Sequence, residues 1–180
     1  MRARAVEDPH FSQEPMSDNR DPSFSCDYAF PSSHNTSTGV DEKVTVFVAK
    51  EHGSRYLAAT VVPYKGANDE TSWSSTYFAT FIESLGYKNT SVVLKSDGEP
   101  AISAVLQSVT EARTAPTRVE HSPKGSSQSN GSAENAVRKI ESHMRTLRLA
   151  LENRYGVRIS VNHNVIPFLT SHAAFCINRF

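Results

Sequence analysis

Hydrophobic periodicity alternates between the strand and helix repeats from Phe24 to Asn178, and the order of those changes limits the fold more than any other feature. Phe24 to Phe30 (FSCDYAF) is a short apolar and aromatic run that suits a strand. Val44 to Lys50 (VTVFVAK) and Arg55 to Tyr64 (RYLAATVVPY) are rich in β-branched residues, and the turn residues Glu51, His52 and Gly53 between them predict a hairpin. A helix is expected from Asn68 or Asp69, both good N-cap types, with Glu70 in its first turn. Trp73, Tyr77, Phe78, Phe81, Ile82 and Leu85 form its apolar stripe, and Gly86 stops it. Ser91 to Ser96 is a short buried strand ending at Asp97. Pro100 then opens a helix carrying Ile102, Val105, Leu106 and Val109, and Thr117 to Glu120 suits a further strand. His121 to Gly131 (HSPKGSSQSNG) is polar and Gly/Ser-rich and reads as a loop. From Ser132 a long helix presents Ala133, Val137, Ile140, Met144, Leu147 and Leu151 as one stripe. A last helix, from about Val165 to Asn178, carries Ile166, Leu169, Ala173 and Ile177. This order predicts an α/β domain, a mixed sheet with antiparallel pairing first and parallel crossovers after, flanked by helices.

With 180 residues the chain has room for one well-packed domain. Residues 1–22 hold Pro9, Pro15, Pro22 and many Ser, Asn and Asp, with few aliphatic side chains. They are expected to be a disordered leader, since they cannot bury enough apolar surface to offset ordering entropy. The domain is expected to fill residues 23–180. No secretory pattern and no membrane-spanning apolar run is present. Cys26 and Cys176 are the only cysteines and do not form a Cys-x-x-Cys pair, which argues against a disulfide scaffold or structural zinc site and makes an intracellular setting the expectation.

Net charge is zero, which excludes a uniformly basic coat, but the charges are segregated. Acids dominate up to Lys43. From Arg118 to Arg158, Arg118, Lys124, Arg138, Lys139, Arg145, Arg148, Arg154 and Arg158 face only Glu120, Glu134, Glu141 and Glu152. A polyanion would meet this second half.

Three acids stand out by position, and each has a plainer reading. Asp97 lies at the carboxyl end of a strand, where α/β sheets gather ligands, yet it could merely cap the next helix, worth about 1 kcal/mol. Glu134 opens the long helix, where the helix dipole favours a carboxylate for stability alone. Asp27 sits inside an apolar run, where a strand disfavours Asp unless it has a partner such as a metal ion; otherwise the run is no strand and Asp27 is a solvated loop residue.

Taken together with their surroundings, these segments resemble a known family. SDGEPAI around Asp97 and HSPKGSSQSNGSAENAVRKIE around Glu134 are similar to the integrase catalytic core of retrotransposon and retroviral polyproteins, the D,D-35-E group, and the Asp97 to Glu134 interval is within a residue of the spacing behind that name. CDYAF resembles the family's first catalytic strand and IPFLTSHAAFCINRF its closing helix. The resemblance implies an RNase H-like fold with a five-stranded mixed sheet, the hairpin on one side of the Asp27 strand and the Asp97 strand parallel on the other. It implies catalysis by Asp27, Asp97 and Glu134, which would hold two Mg²⁺ or Mn²⁺ ions, hard cations suited to oxygen ligands. It also implies 3′-end processing and strand transfer on DNA, both element ends and target, by a homodimer or higher oligomer in the nucleus. Lys124, Gln128 and Asn130 in the loop and Arg138, Arg145 and Arg148 along the helix are then expected to touch DNA. The plainer account of these arginines is a solvated face with Glu134–Arg138 and Glu141–Arg145 pairs. His121 is expected to be loop filler.

The family's His-His-Cys-Cys zinc module and trailing DNA-binding domain are not visible, so a fragment of a longer polyprotein, a decayed copy or an incomplete gene sequence is expected. Two rivals follow: a catalytically inactive DNA-binding remnant, and a cellular ribonuclease H, for which Glu83 could serve in the first helix but no matching final Asp follows.

Overall fold

β1 (Ser23–Ala29) is the central strand on which the other elements are placed. The computed structural model describes residues 21–35, 40–67, 72–121 and 127–179, with the backbone alone at 33–35, 40–41 and 127–130. Along β1 the side chains alternate. Phe24, Cys26 and Tyr28 join one buried cluster, while Ala29 joins a second cluster on the opposite face, which is therefore also the face of Asp27.

After β1 come β2 (Ser32–Asn35) and β3 (Val40–Lys43), then β4 (Thr45–Glu51) and β5 (Leu57–Val62). β2 and β3 pair as a separate antiparallel hairpin. SSHN and VDEK lack the period-two apolar pattern on which the sequence reading relied, which is why that hairpin went unforeseen. The main sheet has the order β5-β4-β1-β6-β7, with β6 at Val92–Ser96 and β7 at Thr117–His121. β4 pairs antiparallel with both β1 and β5, and β6 pairs parallel with β1 and β7. This is the expected five-stranded mixed sheet, with the hairpin and the Asp97 strand on opposite sides of β1.

One face carries α1 (Trp73–Ser84) and α2 (Pro100–Ala112), and the other carries α3 (Ser127–Tyr155) and α4 (Ile166–Arg179). α1 ends in a Schellman turn. Tyr87 N–H donates to Ile82 O and Gly86 N–H to Glu83 O, and Gly86 adopts φ +89°, which only glycine takes without strain. Asn68, Asp69 and Glu70, where the helix start was expected, lie outside the described residues. Trp73 was placed on the apolar stripe but is 46% exposed, because Ser74, Ser75, Phe78, Phe81 and Ile82 form the buried face. In α2, Pro100 occupies the first turn, and Ile102, Val105, Leu106 and Val109 are fully buried as expected.

α3 departs most from expectation. It begins at Ser127, not Ser132, and so takes up five residues read as loop. Extending a formed helix fixes one residue per hydrogen bond gained. The stable body of α3 therefore carries the weak formers Ser127, Ser129, Asn130 and Gly131, although glycine costs about 1 kcal/mol there. Its buried line runs through Ala133, Ala136, Ile140 and Met144, with Val137, Leu147 and Leu151 at its margin.

At the β4–β5 turn the buried Glu51 carboxylate accepts from Gly53 N–H, Ser54 N–H and the Ser54 hydroxyl. His52 beside it is held neutral. Burial, then the nearby Lys50 and Lys95 charges, push its pKa down to about 4, against a small opposing pull from Glu51. The unfolded chain takes up this proton below the ordinary value of 6.5. The contribution of His52 to stability is therefore complete above pH 6.5 and is lost as pH falls towards about 4. Thermal melts across that range should show a shallower loss of Tm for His52→Gln than for the parent. Equal slopes would contradict this assignment.

Candidate active site

The backbone alone brings Asp27 and Asp97 together. The last parallel pair of β1 and β6 is Ser25 with Lys95, and two residues further along the chain come Asp27, within β1, and Asp97, just past the end of β6. Val92 and Leu94 point to the α1–α2 side, so by alternation Asp97 leaves β6 on the α3 side, as Asp27 leaves β1. Glu134 lies on α3, in the helix layer on that same face.

Electrostatics report the convergence. The half-buried Asp27 carboxyl has its pKa raised, first by burial and then by the negative charges of Asp97, Glu99 and Glu134, although its bond from Tyr28 N–H (2.7 Å) opposes the shift. Acids that stand 70 and more residues from Asp27 in the chain thus act on one carboxyl. Cys26 beneath has its thiol pushed up by burial, with Asp27 and Asp97 adding to the shift, so it is no nucleophile.

Each acid is set by local structure. Asp97 Oδ1 accepts from Glu99 N–H at 2.9 Å across a turn whose Gly98 adopts φ +79°. The N-cap of α2 is Glu99, so Asp97 does not serve as the helix cap considered above. Glu134 lies seven residues, about two turns, inside α3, beyond the reach of the helix dipole that would have explained it by stability. Lys50 Nζ donates to Ser132 Oγ at 3.0 Å, tying this part of α3 to β4.

Three contributors had no signature in the sequence. His121 is not loop filler: it ends β7, and its Nδ1 lies 3.1 Å from Ser96 Oγ, the residue before Asp97. Glu99 adds a fourth carboxylate. Lys65 Nζ, after β5, sits 2.6 Å from Glu99 Oε1. These contacts join positions 25 and 34 residues apart, which no local pattern encodes.

The carboxylates offer the hard oxygen donors that Mg²⁺ and Mn²⁺ favour, and a cation would relieve the repulsion on Asp27. Their charges reach one another, yet among the described residues no three His, Cys, Asp or Glu side chains already close around an ion.

Comparison with solved structures bears on this geometry. The HTLV-2 integrase catalytic core domain, in a dimeric magnesium complex, matches with TM-score 0.55 at 12% identity over 89% of each chain. Its trimeric form gives 0.53 at 11% identity over 88% of this chain and 85% of that one. A chain of the simian T-cell lymphotropic virus intasome gives 0.54 at 16% identity over 88% of this chain and 48% of that one. The fold is that of a retroviral integrase catalytic core. No protein-family model matches the sequence, and no curated protein matches it either.

Within this integrase-core fold the expected DNA-contacting residues separate. Lys124 lies outside the described residues. Gln128 and Asn130, expected in a loop, fall in the first turn of α3, with side chains outside the described set. Arg138 and Arg145 are exposed. Neither forms the i,i+4 pair anticipated with Glu134 or Glu141; among the described residues the ion pair on α3 is Arg148 Nε to Glu152 Oε1 at 3.9 Å. Exposed pairs gain too little to hold two long side chains together. Arg145 and Arg148 instead line a cleft of about 250 Å³ with Phe30, Pro31, Glu141 and Met144. Glu83, the first-helix acid considered for a ribonuclease H, pairs with Lys88 at 3.4 Å on the helix layer of the sheet face opposite Asp27.

Proposed function

We propose that this chain is the core of a retroelement integrase, a polynucleotidyl transferase that trims DNA 3′ ends and joins them to target DNA. The strand register that sets Asp27 in β1 beside Asp97 just past β6, with Glu134 on the helix layer of the same sheet face, supports this reading. In 3′-processing, water attacks a phosphodiester and one P–O bond forms as another breaks, releasing a 3′-hydroxyl. In strand transfer that hydroxyl attacks a target phosphodiester in the same way. Asp27, Asp97 and Glu134 would hold divalent ions, two by analogy, whose chemistry is to stabilise charge on attacking and leaving oxygens. Arg138, Arg145 and Arg148 would seat backbone phosphates along α3, and Gln128, Asn130 and Lys124 would meet DNA at its start. Action on host DNA implies a nuclear location, and pairing of two DNA ends implies a dimer or larger assembly.

The test is Mn²⁺-dependent strand transfer or disintegration on a branched DNA substrate, with Asp97→Asn as control. The rival reading is a remnant that binds DNA without acting on it. DNA binding with no metal-dependent activity would select the remnant.

A further inference from the structure

The acid site carries one carboxylate more than this mechanism uses, and that carboxylate already has a partner. Glu99 follows Asp97 by two residues, and its charge acts on Asp27 together with those of Asp97 and Glu134. Left free, it would offer the same oxygen donors as Glu134. Instead, Glu99 Oε1 accepts from Lys65 Nζ at 2.6 Å, with side chains 33% and 37% exposed.

Lys65 is fixed there by contacts that do not involve Glu99. The next residue, Gly66, donates its N–H to the buried Tyr28 hydroxyl at 2.8 Å. Gly66 adopts φ +95° against the start of α2, where a Cβ would meet Ala101 O at 3.7 Å. The Lys65 ammonium lies 4.7 Å from the Phe30 ring centroid and 5.4 Å from that of Tyr28, within cation–π range. A cation held by two rings, a carboxylate and an anchored backbone is a placed group, unlike a solvated surface lysine.

We propose that Lys65 is a positioning residue that clamps Glu99 aside, so that Asp27, Asp97 and Glu134 form the donor set for a divalent cation. The proposal rests on the function given above. Mg²⁺ demands near-octahedral geometry and keeps several waters, so an extra carboxylate entering the site would strengthen ion binding while displacing water or substrate oxygen.

Calorimetric titration of Mn²⁺ into the full chain without DNA tests this, using the parent, Lys65→Met, Glu99→Gln, the double variant and Asp97→Asn. Lys65→Met should bind Mn²⁺ tighter by about threefold or more, the scale of one partly exposed charge contact, and the double variant should return to the parent affinity. Unchanged affinity in Lys65→Met overturns the proposal. So does equal tightening in the double variant, since the effect would then come from loss of the lysine charge and not from release of Glu99. Asp97→Asn keeps the two levels apart: if it binds Mn²⁺ as the parent does, the acid-site reading itself fails, and the proposal with it.

Discussion

Asp97→Asn should abolish metal-dependent strand transfer while barely moving the melting temperature. The residue is exposed, and it accepts a hydrogen bond from Glu99 N–H, which an asparagine carbonyl can still accept. The folding cost is therefore at most about 1 kcal/mol. Removing a negative charge that acts on Asp27 offsets part of that. For catalysis the substitution removes a charged oxygen donor from the proposed metal site. Metal stabilisation of developing charge is worth several kcal/mol, and each 1.36 kcal/mol is tenfold in rate, so a loss of about a thousandfold or more is expected. Glu111→Gln, on the outer face of α2 where its carboxylate accepts from Gln107 Nε2, is the matched control and should retain activity. Strand transfer that survives Asp97→Asn at the parent rate would remove the enzymatic reading altogether.

Phe24→Ala should be the most damaging single core substitution, costing about 3–5 kcal/mol in a denaturant titration. Phe24 is fully buried and makes edge-on contacts with Phe78, Phe81 and Tyr87 at centroid distances of 6.2, 6.0 and 5.8 Å. These contacts bind β1 to α1 and to the chain that follows it. Such pairs add to the burial term, and the rigid layers on both sides leave little scope for the cavity to collapse. Phe24 also pairs with Glu51 and Leu94, so its loss loosens both neighbours of the strand that carries Asp27. Phe168→Ala provides the contrast: that ring is 65% exposed on α4, and its loss should cost under about 0.5 kcal/mol. Similar costs for the two variants would mean that the α1–α2 layer is not the core described.

Much of the fold was legible because its signals are local and repetitive. The β-branched runs of β4 and β5, the stripe of α2 and the stop at Gly86 each need only a short window, and the structure places them close to expectation. Weak local signals misled. Ser127 to Gly131 reads as loop because Ser127, Ser129, Asn130 and Gly131 all favour turns over helix, yet α3 extends through them. The β2–β3 hairpin has no apolar alternation to announce it. Asp27, Asp97 and Glu134 could be named beforehand through a family likeness, since spacing alone left each with a plainer explanation.

What the sequence determined on its own was therefore the five strands of the main sheet, the four helices and their order, because apolar periodicity is written residue by residue. What only the tertiary structure decided was company. It put Asp27 level with Asp97, placed Glu134 two turns inside a helix, paired Lys65 with Glu99 and set His121 against Ser96. Those neighbours come from strand register and layer packing, and Coulombic and hydrogen-bond energies depend on distance through space, to which separation along the chain is no guide.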